Sequence, residues 1–436
     1  MKLKNRVSVF FLMFFFLNAN AQTSQRIMPL EEVLQLALEN HAQLKLSVAN
    51  VKIANQQTKV AELQQLPTIT AGASSFYVGN IKLMDENFSK VESFEMPHFG
   101  NTYGIQASEV LYKGGLVKKS IEISQLREQI SELDLERDQQ NIKFLVLSNY
   151  LDIQKAINQR EVYLHNRKLA QQRLDNVQKM YQQGMVTRNE VIRGELMIKN
   201  LDQAILVIEN NRLAHNYQLT TAIGLSPDVL IVPDENTGEI GALNNLQYYF
   251  DLAHTNHPVI KSAKTSIAMA EKNVEITKSE RMPTVAAVGG YNMNRPLTNS
   301  LPAKDLYAST WQAGISISYN IDNLFKTGTK EKLSKMQAAQ ATNAMLLQQQ
   351  NLDILVNTSF LKFQEAMKQA EISKESEKLA NENYRIIEAK YLNQQALQAD
   401  MLDATNAKLE AELQYANAEI NVLYQYSNLL RATGTL

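Results

Sequence analysis

The sequence predicts an internally duplicated α+β membrane protein in which each chain contributes four β-strands to a barrel and continues as long helices. Three observations carry this. An export signal opens the chain, and no later stretch reaches the ~18 uninterrupted apolar residues of a spanning helix. Short sequence blocks recur 210 to 216 residues apart. In each half, runs alternating with period 2 precede a helical stretch far longer than a globular helix.

Composition sets the outer bounds. The 436 residues carry 44 Lys+Arg against 45 Asp+Glu, a formal charge of −1, which argues against a nucleic-acid partner. The absence of Cys excludes disulfides, Cys-zinc sites, a thiol nucleophile and a lipid-modified cysteine anchor. A mean hydropathy of −0.28 excludes a helical membrane bundle. Only 16 Gly leave little room for Gly-punctuated loops.

The first element is an address. Lys2, Lys4 and Arg6 precede an apolar run over residues 7–17. Asn18-Ala19-Asn20-Ala21 supplies an Ala-x-Ala cleavage site, so residues 1–21 read as a signal peptide and the mature chain is expected to start at Gln22. The run is too short to serve comfortably as a membrane anchor.

The duplication is read next. Asn40-His41 matches Asn256-His257, and Leu66-Pro67-Thr68 matches Met282-Pro283-Thr284, both 216 residues apart. Tyr150 faces Phe360, Tyr181 faces Tyr391, Glu190 faces Asp400 and Gly224 faces Gly434, all 210 apart. One register held through two long blocks implies two structural repeats, residues 22–225 and 246–436, with a linker over 226–245.

Each repeat opens with a helix, residues 30–66 and 246–282, which the following proline ends because it lacks an N–H and disfavours helix in the residue before it. Strands are expected at about 68–79, 101–112, 284–294 and 308–321. The last is clearest: Trp311, Ala313, Ile315, Ile317, Tyr319 and Ile321 share one face, while Thr310, Gln312, Gly314, Ser316, Ser318 and Asn320 share the other. Tyr103, Ile105 and Ala107 alternate with Thr102, Gly104, Gln106 and Ser108. An apolar outer face with a small polar inner face is the pattern of an outer-membrane barrel strand. A soluble sheet with one wet face has the same pattern; the export signal and the pairing of runs in both halves favour the membrane. Residues 80–100 and 295–306 read as polar loops.

The long helices come last. Residues 113–181 and 326–391 carry apolar positions on a heptad seam, Leu126, Leu133, Leu147 and Leu347, Ile354, Leu361 among them. At 1.5 Å per residue each is roughly 100 Å long. Shorter helices follow at 189–223 and 399–433. Polar residues fill the remaining faces, as expected of helices walling a water-filled tube.

Four strands cannot close a membrane barrel, which needs at least ~8. An open edge in lipid leaves unpaired backbone groups at several kcal/mol each. The chain must therefore either assemble with copies of itself, in a number that these residues do not specify, or not be a barrel.

At this point the chain resembles the TolC-type outer-membrane efflux proteins. The resemblance spans nearly the whole mature chain. It rests on the duplication, on the strand pairs after Pro67 and Pro283, and on two turns. Tyr181-Gln182-Gln183-Gly184 running on to Glu190-Val191 looks like the family's Tyr-x-x-Gly…Asp-Val turn. Tyr391 followed by Asp400-Met401-Leu402-Asp403-Ala404 looks like its Tyr…Asp-Val-Leu-Asp-Ala turn. The resemblance implies a homotrimer with a 12-stranded barrel in outer-membrane lipid and a coiled-coil tunnel in the periplasm. It implies a passive exit duct of a tripartite efflux or type I secretion system, driven by an inner-membrane pump of RND or ABC type through a periplasmic adaptor. No cofactor, metal or nucleic acid is implied.

The resemblance also implies residue roles. Asp400 and Asp403 match acidic residues lining the periplasmic aperture. Glu190 and Tyr391 match gate residues. The family's tip arginine falls at Ala396 and its tip glycine at Gln394, so the closed lock must differ, with Arg188 as a substitute. Gly184, Met185, Val186 and Thr187, with Gln394, Gln395 and Ala396, are the expected adaptor-docking tips. The plainer reading of the carboxylates is solvated helix-end charge, with Tyr391 simply packed.

Other candidates are weaker. His254-x-x-His257 has metal-ligand spacing without a third ligand. The methionines do not cluster as a metal relay. Gly114-Gly115 lacks the rest of a phosphate loop. No Ser/His/Asp grouping has catalytic surroundings, so the sequence reads as a channel rather than an enzyme. The rivals are a periplasmic adaptor, which normally carries one hairpin rather than this twofold order, and a coiled-coil scaffold.

Overall fold

A computed structural model describes residues 25–234, 241, 243–299, 303–393 and 395–436. The expected signal peptide, 1–21, and Gln394 lie outside the described residues. In chain order the elements are β1 (Gln25–Met28), α1 (Leu30–Asn40), α2 (Ala42–Glu62), β2 (Thr68–Tyr77), β3 (Ile81–Met84), β4 (Lys90–Phe94), β5 (Phe99–Tyr112), α3 (Leu116–Gln182), α4 (Arg188–Ile223), β6 (Leu230–Pro233), α5 (Leu246–Asn256), α6 (Pro258–Ser279), β7 (Thr284–Arg295), β8 (Ala308–Ser318), α7 (Asp322–Leu392) and α8 (Gln398–Thr433). No described helix is long and apolar enough to cross a membrane.

The chain divides into two compact units. The first takes the described residues of Met1–His41 with Leu145–Gly241 and Glu365–Tyr424. The second takes Ala42–Phe144, Ala242–Gln364 and Gln425–Leu436.

In the first unit, β1 pairs in parallel with β6, Gln25 opposite Leu230 through Met28 opposite Pro233. These strands are too short to hold themselves. Two side chains from the helices fasten them. Tyr150 on α3 is fully buried; its hydroxyl donates to the Met28 carbonyl at 2.9 Å and accepts from the Asp234 N–H at 2.8 Å. Asn216 on α4 donates to the Val229 carbonyl and accepts from the Ile231 N–H, standing in for a strand partner. Burial pushes the Tyr150 hydroxyl above the usual tyrosine range. Residues 226–245, expected to be a linker, thus contain a strand.

The second unit holds the main sheet, order β2-β5-β7-β8, antiparallel throughout. A register shift interrupts the β5–β7 ladder between Val110 and Tyr112. Residues 80–100 are not simply a loop: β3 and β4 form a hairpin. Asp85 closes its turn by accepting from the N–H groups of Asn87 and Ser89. The alternation there is short and broken by charge, which hid it.

The first helix of each half is broken rather than continuous. His41 and His257 both adopt extended backbone, ψ 127° and 125°. Pro258 explains the second break, because proline disfavours helix in the preceding residue and is well placed at N1. A glycine seats each break. Gly224, φ 76°, ends α4, and a Cβ there would lie 2.9 Å from Asn40 Cβ. Gly434, φ 76°, follows α8, and a Cβ there would lie 2.7 Å from His257 Cα. Left-handed backbone and close approach both require glycine at these two positions.

Candidate functional site

Two regions bear on function, one in each unit. The first is the main sheet. Its register aligns Ala71, Ile105, Tyr291 and Trp311 in one row and Ile69, Ala107, Gly289 and Ala313 in the next but one. Since successive side chains alternate across a sheet, Ile69, Ala71, Ile105, Ala107, Tyr291, Trp311 and Ala313 share a face, while Phe76 and Val288 fall on the other. The opposite face carries Thr70, Gln106, Gly290 and Gln312, then Gly72, Gly104, Asn292 and Thr310. The apolar face is bare in the single chain: Trp311 is 80% exposed and Ile315 69%. Among the described residues nothing pairs with the outer edge of β2 or of β8. A bare apolar face with two open edges is unstable in water as it stands.

The second region is the pair of helix turns in the first unit. α3 ends at Gln182, and the chain reverses through Gly184 at φ 76°. Met185 N–H donates to the Met180 carbonyl and Gly184 N–H to the Tyr181 carbonyl, both at 2.9 Å, a Schellman-type stop. Thr187 caps α4 without a side-chain bond. Arg188 is exposed and Glu190 half-buried in the first turn, where a carboxylate complements the helix dipole. Met185 and Thr187 are exposed, Val186 half-buried.

The second turn joins α7 to α8. Gln395 N–H donates to the Lys390 carbonyl at 2.8 Å. Asp400 reaches back to accept the Leu397 N–H at 2.9 Å, so it caps α8. Asp403 is exposed and makes no hydrogen bond or ion pair among the described residues. Gln398 donates to the Glu190 carbonyl at 3.0 Å, tying the two turns together. Tyr391 is half-buried; burial first, then the charge of Glu190, push its hydroxyl above the usual range. Ala396 is half-buried and Gln395 exposed.

Behind the turns lies a network that the sequence motifs missed. Arg173 on α3 donates to the Tyr384 hydroxyl and to Thr405 Oγ1, each at 2.9 Å. Tyr384 in turn donates to Glu388 at 2.8 Å. The Lys408 ammonium sits 4.6 Å from the centre of the same ring, so cations flank it twice, a favourable pairing with the π face. Burial, then the bond to Glu388, push the Tyr384 hydroxyl up. Arg173, Tyr384, Tyr391 and Met401 line a cleft of about 150 Å³. The signal available in sequence was spacing alone: Tyr384 stands seven residues before Tyr391, on the same helix face. An apolar cluster of Leu174, Val177, Val191, Ile198 and Leu201 packs α3 against α4 in the same unit.

The His254-x-x-His257 pair does not converge on a metal. His254 bonds Asp353 at 2.6 Å, and His257 accepts the Val259 N–H as the cap of α6. Among the described residues no group of three or more His, Asp or Glu is placed to hold a metal ion.

Residues 33–225 and 250–435 match the family model described as outer membrane efflux protein. Solved structures share the fold across 93% of this chain. The outer-membrane channel OprN superposes with a TM-score of 0.77 at 16% identity, covering 90% of that chain. CusC, studied for folding and transmembrane channel formation, gives 0.79 at 16%, covering 91%. The outer membrane protein VceC of Vibrio cholerae gives 0.76 at 13%, covering 96%. No curated protein sequence matches the chain.

Proposed function

The chain belongs to the outer membrane efflux protein family, and from that premise we propose that it is a passive exit duct in the bacterial outer membrane. One observation carries the reading. The sheet register gathers most of the apolar side chains of four strands on one exposed face and, among the described residues, leaves the outer edges of β2 and β8 without a partner. Lipid satisfies the face, and only further strands satisfy the edges. Three chains give a closed 12-stranded barrel, within the range of membrane barrels. The face carrying Thr70, Gln106 and Gln312 then lines the lumen.

The long helices continue the duct as a periplasmic tunnel, the two repeats 22–225 and 246–436 each supplying one long and one shorter helix. The turns form its inner mouth. Asp400 and Asp403 line the aperture, where a ring of carboxylates attracts cations. Glu190, Tyr391 and Arg188 belong to the gate. The tips at Gly184, Met185, Val186 and Thr187, and at Gln394, Gln395 and Ala396, receive a periplasmic adaptor. An inner-membrane pump of RND or ABC type supplies energy and selects the cargo.

Fractionation tests this. The duct resists carbonate extraction and runs as a heat-modifiable oligomer. Recovery as a soluble monomer overturns it in favour of a periplasmic adaptor or scaffold.

A further inference from the structure

In the first unit an open groove of about 380 Å³ is lined by carboxylates from three helices: Glu161 of α3, Glu377 of α7, and Glu412 and Glu419 of α8. Two of them are engaged. Glu412 accepts from Asn166 at 2.8 Å and lies 3.6 Å from the Lys408 ammonium. Glu419 accepts from the Tyr415 hydroxyl at 2.5 Å, which pushes that hydroxyl up to about 12. Glu377 makes no hydrogen bond or ion pair among the described residues, and it faces both of these occupied carboxylates. It stands seven residues before Tyr384, so α7 presents to α8 one residue clasped by cations and, two turns earlier, one repelled by anions.

We infer that Glu377 is an acid-sensitive spacer between α7 and α8. Ionised, it is repelled by Glu412 and Glu419. Protonated, its carboxyl donates a hydrogen bond to one of them and draws the two helices together. Glu161 adds to the repulsion from α3, and His165 of α3 lies in the same groove. Lys374, on its own helix, and Lys408 oppose the repulsion. Lys408 is already committed to Glu412 and the Tyr384 ring. Burial, then Glu412 and Glu419, hold the Glu377 carboxyl above the ordinary glutamate range, so it takes up its proton earlier on acidification than an ordinary glutamate does. This inference stands whether or not the chain is an exit duct.

The chain has no Cys, so two spin labels can be placed cleanly. Lys378→Cys on α7 and Gln414→Cys on α8 are both exposed positions. Full-length labelled chain, diluted with excess unlabelled chain, is measured from about pH 7.5 down to about pH 4, the ordinary glutamate value. The label separation is expected to shorten on acidification by about 1–2 Å, the size of ordinary helix shifts. Glu377→Gln should hold the short separation at both pH values. Glu419→Gln should move the midpoint down toward that of an ordinary glutamate. His165→Asn should leave the transition in place. A separation that does not respond to pH, a response that survives Glu377→Gln, or one abolished by His165→Asn overturns the inference.

Discussion

Arg173 and Tyr384 lie 211 residues apart in sequence, yet the guanidinium donates to the phenolic oxygen at 2.9 Å and also lies over the ring, 5.8 Å from its centre. The same ring is flanked by Lys408. Tyr384 is 6% exposed, so its hydroxyl has no water to fall back on. Removing it in Tyr384→Phe strands Arg173 Nη2 and a Glu388 oxygen while keeping the ring. The expected cost is about 1–3 kcal/mol, read as a lowered urea midpoint of the helical signal. Tyr384→Leu should cost more, because both cations then lose their π face. Equal midpoints for the two variants would show that the ring contributes nothing to the clasp.

In the proposed duct the two sheet faces separate lipid from lumen. Ile315→Arg places a charge on the apolar face and is expected to cost about 2–4 kcal/mol where it meets lipid. The measurement is the amount of heat-modifiable oligomer in the outer-membrane fraction. Ser316→Arg, one residue on, points to the other face. It should leave assembly intact and shift the ion selectivity of the pore toward anions. Equal assembly of the two variants would contradict the proposed orientation.

Asp400 and Asp403 should separate in their effects. Asp400 bonds the Leu397 N–H and Asp403 bonds nothing among the described residues. Asp400→Ala therefore loses a helix cap as well as a charge, at about 0.5–2 kcal/mol. Asp403→Ala loses charge alone. Both should weaken block by multivalent cations in bilayer recordings, while hydrogen exchange at the start of α8 speeds up only in Asp400→Ala. If block is unchanged in both, neither residue lines the aperture.

Acid should act on the second unit through His257. Burial, with Arg431 and Lys261 nearby, lowers its pKa from 6.5 to about 4. The unfolded chain thus takes up a proton that the folded chain refuses. This contribution to stability is complete above about pH 6.5 and is lost as pH falls toward 4. His257→Asn keeps a capping acceptor for α6 but removes the proton. Its denaturant midpoint should fall less than that of the wild type between pH 7 and pH 4.5. Burial lowers His41 in the same direction, so the residual slope of this variant should shrink further in His41→Asn.

The periodic elements are legible in the amino-acid sequence. Strand alternation at 310–321 and the prolines at 67 and 283 are local signals, and β2, β5, β7 and β8 begin and end within a few residues of where they point; the expected seam residues Leu347, Ile354 and Leu361 of α7 are exposed in the single chain. Within β8 the alternation also named the apolar-face residues Trp311, Ala313, Ile315 and Ile317, because period 2 fixes the face, whereas Tyr319 and Ile321 fall past its end at Ser318. The helix breaks at His41 and His257, the β3–β4 hairpin and β6 were not legible. The hairpin alternation is short and broken by charge, the His257 break turns on Pro258 alone, and β6 depends on the remote partners Tyr150 and β1.

What the sequence determined by itself is therefore the inventory: which segments are helix or strand, and which side of each is apolar. That follows because backbone sterics and the burial of one face act over a few residues. Only the tertiary structure decided how β5 and β7 pair across the two halves to make one sheet, and that Arg173 meets Tyr384. It also decided that Asp400 turns back on its own helix and that Glu377 faces two occupied carboxylates. The first two relations depend on the register between elements remote in sequence, and the last two on where side chains settle around the α7–α8 turn and groove; neither period nor composition encodes them.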